Sequence, residues 1–190
     1  MGTIRVPEEI WAKTRKHLLD TPGEHFAFWE AAWDMSNNVP IFLVKDAHFI
    51  PDSHYQNVTL DGVEIRLDGV IDAINSAIKN NHCLIEMHNH GGKKPRFSHT
   101  DRTELASFIP YVLDSLPNRP YAVIVWGDDT VYGEYFLTDG TNGQMQSITT
   151  VGSHLYQMIS KDDDLTSVAP RFDRQLAWFG KTGQKQISRL

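Results

Sequence analysis

The sequence predicts an α/β domain built on one mixed central β-sheet flanked by helices. Three observations carry this expectation. Segments of helical and strand periodicity follow one another in the order helix, hairpin, helix, strand, loop, helix, hairpin. The chain has 190 residues, 41% of them hydrophobic, enough for one compact domain with a core of its own. It also lacks the regular βαβ alternation and the glycine-rich phosphate loop of a dinucleotide-binding domain.

Residues 7–19 open on Pro7, tolerated at a first helical position. They place Ile10, Trp11, Thr14, His17 and Leu18 on one face at helical spacing, which predicts an amphipathic helix. "DTPGEH" breaks it. "HFAFWEAAW" and "VPIFLVKDAHFI" then read as two apolar, aromatic-rich strands around the turn-forming "DMSNN", a hairpin. After a polar stretch, Val70, Ile71, Ile74, Ala77 and Ile78 return to helical period, and Asn80-Asn81 ends that helix. "HCLIEMH" is short, apolar and bounded, as a buried strand is. Ser98 reads as the N-cap of a helix from about Asp101 to Leu116. "YAVIVW" and "TVYGEYFL" make two more strands around "GDD".

Composition narrows the function. A net charge of -6 and a pI near 5.8 argue against a nucleic-acid partner held by phosphate neutralisation, because no run of lysine and arginine supplies it. The single cysteine, Cys83, excludes an intramolecular disulfide and a multi-cysteine zinc site, and fits a reducing cytoplasm. Cys83 itself reads as a small buried hydrophobe and not a nucleophile. The first residues carry charge and no apolar run, and no window approaches the ~20 apolar residues of a membrane span. The expectation is a cytoplasmic protein without a membrane partner.

"EMHNHGGKKPRFSHTD" is the stretch that points to chemistry. His88 and His90 lie two apart at a strand end, where alternation sends both side chains to one face. Imidazole and carboxylate suit a divalent metal, and catalytic zinc takes three protein ligands with the fourth position open. Asp101, eleven residues past His90 on the first turn of the next helix, folds back as a candidate third ligand. His-x-His, seven residues, Ser, two residues, Asp would arise by accident in roughly two of a thousand chains of this composition.

That pattern resembles the signature of the JAMM metalloproteases, whose JAB/MPN fold is cytidine-deaminase-like, with a glutamate well upstream of His-x-His-x7-Ser-x2-Asp. His88, His90, Ser98 and Asp101 match in type and spacing, and Glu24 in "PGEHFAFWEAAW" stands just before a strand, as in that family. The resemblance implies a metalloprotease domain over residues 1–160. It implies that His88, His90 and Asp101 bind Zn²⁺, that Glu24 is the general base, and that Ser98 hydrogen-bonds the oxyanion. A structural cap at the helix start explains Ser98 as well. Glu30 and Glu86 are rivals for the base. Glu30 falls mid-strand, whereas Glu86 lies on the histidine strand two residues before His88. Many family members have proline after the second histidine, and this chain has Gly91-Gly92-Lys93-Lys94.

Residues 161–190 differ in character, with Arg171, Arg174, Lys181, Lys185 and Arg189 concentrating positive charge. Phe172, Leu176 and Phe179 recur near helical spacing, which fits an amphipathic helix packing on the domain. "RFDRQLAWFGKTGQKQISRL" is also similar to the segment leading into ThiF-type adenylating domains, of the ubiquitin-activating fold. Together the two resemblances imply a JAMM isopeptidase or peptidase that cleaves after the C-terminal glycine of a ubiquitin-like protein. Its counterpart would be an adenylating domain, in cis or as a partner enzyme, in a bacterial ubiquitination-like pathway. The alternatives are a non-catalytic MPN-type binding or scaffold module, or a hydrolase of a small amide or sulfur-carrier conjugate.

Overall fold

In the computed structural model, which describes residues 1–20, 22–59, 62–90, 95–154 and 156–159, a single sheet curls until its first and last strands meet. The strands are β1 (Gly2–Pro7), β2 (Phe26–Ser36), β3 (Val39–Phe49), β6 (Cys83–Asn89), β7 (Tyr121–Trp126), β8 (Val131–Phe136) and β9 (Asn142–Val151). Their order around the barrel is β1-β3-β2-β6-β7-β8-β9, and β9 pairs in parallel with β1 to close it. The β1–β3 and β6–β7 pairs are also parallel, and the remaining pairs are antiparallel. A small hairpin, β4 (Tyr55–Thr59) with β5 (Gly62–Ile65), stands apart, and β10 (Gln157–Ile159) pairs with β9. Three α-helices, α1 (Glu8–Leu19), α2 (Leu67–Asn80) and α3 (His99–Ser115), and a 3-10 turn at Asp52–His54 complete the described residues.

The expected α/β architecture, a helix-flanked mixed sheet in the manner of the cytidine-deaminase-like JAB/MPN fold, is therefore corrected. The chain is a closed seven-stranded mixed barrel, mostly sheet with few helices. The physical reason lies in two strands that the apolar pattern did not announce. β1 is only six residues long and buries Gly2, Ile4 and Val6 on alternate positions. β9 reads "NGQMQSITTV", polar by composition, yet Met145, Ser147, Ile148 and Thr150 are buried. Each is weak alone, and each is stabilised by the strands on both of its sides, which only closure brings together.

Two cores result. The interior draws on all seven barrel strands, among them Ile4, Trp29, Phe42, Ile85, Ile124, Val131 and Ile148. Helix α1 plugs it. Trp11 and Leu18 belong to the same cluster, Trp11 stacks at 4.7 Å on Trp126, and the Trp29 indole N–H donates to Thr14 Oγ1 at 2.8 Å. A second cluster covers the outside of β2, β6 and β7: Phe28, Leu84, Tyr121 and Val123 pack against Val70, Ala73, Ile74 and Ala77 of α2 and Leu105 and Val112 of α3. Period-2 alternation thus sends Cys83, Ile85 and Met87 into the barrel and Leu84, Glu86 and His88 beneath the helices.

The predicted elements that survive do so for local reasons. Asn37 and Asn38 both take positive φ, 51° and 61°, the signature of a two-residue hairpin turn, so β2 and β3 extend to its edge. Asn81 ends α2 at φ 56°. Ser98 caps α3, and the turn "GDD" joins β7 to β8. Among the described residues no helix is long and apolar enough to cross a membrane. The segment 161–190, with its predicted adenylating lead-in, lies outside the described residues, as does Gly91–Lys94.

Glu30 shows how α2 is fixed to the barrel. Its carboxylate is fully buried and receives His48 at 2.6 Å, His82 at 2.9 Å and Asn80 Nδ2 at 3.0 Å. Burial pushes its pKa up, but hydrogen bonds from Ser76, Asn80, His82 and His48 outweigh it and hold the group at about 2, below an ordinary 4.5. A carboxyl depressed on folding stabilises the fold fully above its unfolded pKa and ceases to do so as pH falls through the folded one. Glu30→Gln should therefore destabilise the protein by on the order of 3 kcal/mol at pH 7. In urea titrations the gap to wild type should narrow between pH 4.5 and 2; a gap constant with pH would refute this account.

Candidate metal centre

The site is assembled where β6 ends and α3 begins. His88 lies on β6, and His90 continues its line because the His90 N–H donates to the Trp126 carbonyl at 3.0 Å, prolonging the β6–β7 pairing. Both imidazoles emerge on the outer face, His88 fully beneath the helices and His90 half-buried. Phe26, the cross-strand neighbour of His88, stacks on its ring at 5.0 Å.

Asp101 arrives through a capping box. Ser98 Oγ accepts from the Asp101 N–H at 3.1 Å, and Asp101 Oδ2 accepts from the Ser98 N–H at 2.5 Å. The same Oδ2 lies 3.4 Å from His90 Nε2 and 3.7 Å from His88 Nε2. The neighbouring Arg102 anchors this helix start to β8. Its guanidinium makes two bonds, 2.8 and 2.6 Å, to Glu134, and lies 4.6 Å over the Phe97 ring.

The three ligand atoms lie within 4.8 Å of one another, and the two Nε2 atoms are 3.1 Å apart. Ligands at 2.0–2.1 Å from a tetrahedral ion stand about 3.3 Å apart, so spacings of 3.1, 3.4 and 3.7 Å suit a common cation. The cluster could hold a metal ion. Electrostatics agree. Burial works to raise the Asp101 pKa, yet the two imidazoles facing it and the Ser98 N–H hold it well below the usual carboxylate range. Burial pushes His88 down, toward the neutral form that ligates, whereas the Asp101 carboxylate pulls His90 up.

Glu24 stands beside this set, its Oε1 3.7 Å from His90 Nε2. The structure thus brings together His88, His90, Asp101 and Glu24. Ser98 is next to them as the helix cap, its hydroxyl accepting from Asp101 and retaining a proton to donate. Glu30 lies four residues along β2 from Phe26, roughly 13 Å away, in its own network. Glu86 faces the same side as His88, but it is buried, accepts from the Tyr121 hydroxyl, and is raised to about 7 by burial. It borders a cavity of about 310 Å³ that opens against His88 and Asp101, with Phe26, Phe28, Leu105 and Phe108 in its walls. Ile65, at the end of the β4–β5 hairpin, also lines that cavity. The Cys83 thiol is buried and raised to about 12, as an inert side chain is.

Asn89 and Arg102 escaped the sequence reading. Arg102 adjoins Asp101, but its partner Glu134 is 32 residues away. Asn89 sits between the histidines, where alternation aims it at the opposite face and so away from the ligands.

Compared with known proteins, the chain matches no family model and no curated protein. Among solved structures it is similar to the solution structure of protein DSY2949 from Desulfitobacterium hafniense. The TM-score is 0.50 at 13% identity, over 80% of this chain and 94% of that one. It also matches the N-terminal domain of STIL from Trichoplax adhaerens, with a TM-score of 0.33 at 11% identity, over 91% of this chain and 49% of that one. The first likeness concerns the fold alone, and the second is too low to argue from.

Metal binding is directly testable. The chain should bind one divalent ion, and an ion at 100 times its Kd should raise stability by about 2.7 kcal/mol, reversed by a chelator. His88→Ala or Asp101→Ala should abolish that gain. Affinity should begin to fall while the pH is still above 6.5, because His90, raised above that ordinary value, must lose its proton to ligate. Equal calorimetric titrations for wild type and His88→Ala would place the ion elsewhere.

Proposed function

We propose that this protein is a zinc-dependent isopeptidase or peptidase of JAMM type, acting after the C-terminal glycine of a ubiquitin-like protein. One observation carries the reading. His88, His90 and Asp101, separated in sequence by the JAMM spacing, converge within ligand distance with Glu24 alongside. Two imidazoles and a carboxylate are a three-ligand donor set of the kind catalytic zinc takes. The barrel contributes no argument for the activity, since one fold hosts many functions.

When bound, the ion supplies Lewis acidity, acidifying water and polarising a carbonyl. The chain's own groups do the rest. Asp101 and the two histidines would hold the ion, the capping box holds Asp101, and the Arg102–Glu134 pair ties that helix start to β8. Glu24, at the edge of the set, takes a proton from the attacking water and delivers it to the departing amine. The Ser98 hydroxyl is placed to donate toward developing negative charge, while its oxygen keeps the cap. The cavity beside His88 and Asp101 receives substrate atoms flanking the scissile bond. An adenylating enzyme, in cis or separate, is the partner such a modifier requires, and the cytoplasm is its compartment.

The test incubates the zinc-loaded chain with ubiquitin-like proteins extended beyond their terminal glycine. Cleavage at that glycine is expected. Glu24→Gln should lower kcat by about 10²- to 10⁴-fold while zinc stays bound. Intact substrates, or cleavage undiminished in Glu24→Gln, would reject the reading.

A further inference from the structure

We infer that Asn89 is a positioning residue, which sets the Glu24 carboxylate against the metal-ligand cluster; its catalytic consequence rests on the function proposed above. The β2–β6 ladder ends at the Phe26–His88 pair. Continued by two residues, it would place His25 opposite Asn89 and Glu24 opposite His90. The main-chain pairing does not make that continuation, and the His25 N–H that would face Asn89 there meets the Asn89 side chain.

The Asn89 side chain makes it instead. Asn89 is only 3% exposed. Its Oδ1 accepts from the His25 N–H at 2.7 Å, and its Nδ2 donates to the Gly23 carbonyl at 3.0 Å. A primary amide carries the same donor and acceptor as a peptide unit, so it can stand in for a missing rung. Its two bonds fall on the residues immediately before and after Glu24. Gly23 has a φ of 105°, a conformation glycine alone takes readily, so a backbone bend precedes Glu24 and the Asn89 amide fixes where the bend leads.

The result couples the base to its target. His88 and His90 leave one face of the chain for the cluster, and Asn89 leaves the other to hold Glu24, so three successive residues set both halves of the site. Glu24 lies outside the ligand set, so its distance to His90 depends on this segment. A displacement of about 1 Å is enough to cost a reaction on the order of 10²-fold.

The experiment compares the full chain with Asn89→Ala, Asn89→Asp, Glu24→Gln and the Asn89→Ala/Glu24→Gln double variant. Hydrogen exchange at the His25 amide should accelerate at least tenfold in Asn89→Ala, while the Zn²⁺ Kd stays within threefold of wild type. Asn89→Asp keeps the acceptor but not the donor, so His25 should remain protected; it also serves if the alanine variant does not fold. With a cleavable ubiquitin-like fusion, Asn89→Ala should lower kcat about 100-fold at unchanged KM, and the double variant should be no slower than Glu24→Gln. Unchanged His25 exchange in Asn89→Ala, or a Zn²⁺ Kd weakened tenfold or more, would overturn the inference. If wild type cleaves no fusion, the proposed activity fails, and the exchange and zinc measurements still decide the placement of Glu24.

Discussion

The parallel pairing of β1 with β9 governs the architecture. Without it β1 would be an edge beside β3 and β9 an edge beside β8, each with a row of unpaired N–H and C=O groups. With it the seven strands have no open edge, and their inward side chains enclose one cluster that a single amphipathic helix fills. The remaining two helices are excluded from that interior. They pack on the outside of β2, β6 and β7, which is the surface where the outward residues of β6 emerge.

Closure therefore decides where chemistry can occur. β6 is buried on both faces, and its last residues leave the sheet where α3 starts. The histidines inherit the outer face from Leu84 and Glu86, and α3 brings a carboxylate over them because its N-cap demands one. A single oxygen of Asp101 satisfies the Ser98 amide and faces both imidazoles. Helix capping and the candidate metal cluster thus share one side chain, which links the local stability of α3 to the geometry of the site.

Three acids in this region illustrate how environment separates roles that residue type leaves equal. Glu30 is surrounded by hydrogen-bond donors and stays ionised as a structural anchor. Glu86 has the Tyr121 hydroxyl and apolar surroundings, and burial raises it. Glu24 stands at the rim, half-buried and 3.7 Å from His90. Sequence position nominated all three as bases. Their neighbours distinguish them.

Much of the site was legible because its determinants are local. His88 and His90 share a face through strand alternation, and Ser98 with Asp101 spells a capping box within one helical turn. Helix α1, the β2–β3 hairpin and the β7–β8 turn were legible for the same reason, since period and turn chemistry act over a few residues. The barrel was not. β1 and β9 carry weak patterns, and their pairing joins residues about 140 positions apart, which no local signal encodes. Asn89 was hidden by the same limit: its partners, Gly23 and His25, are more than sixty residues away in sequence. The sequence by itself determined the candidate ligand types, their spacing and the cap. Only the tertiary structure decided the closed barrel and the placement of Glu24, because long-range strand pairing and a single buried amide are properties of the assembled sheet.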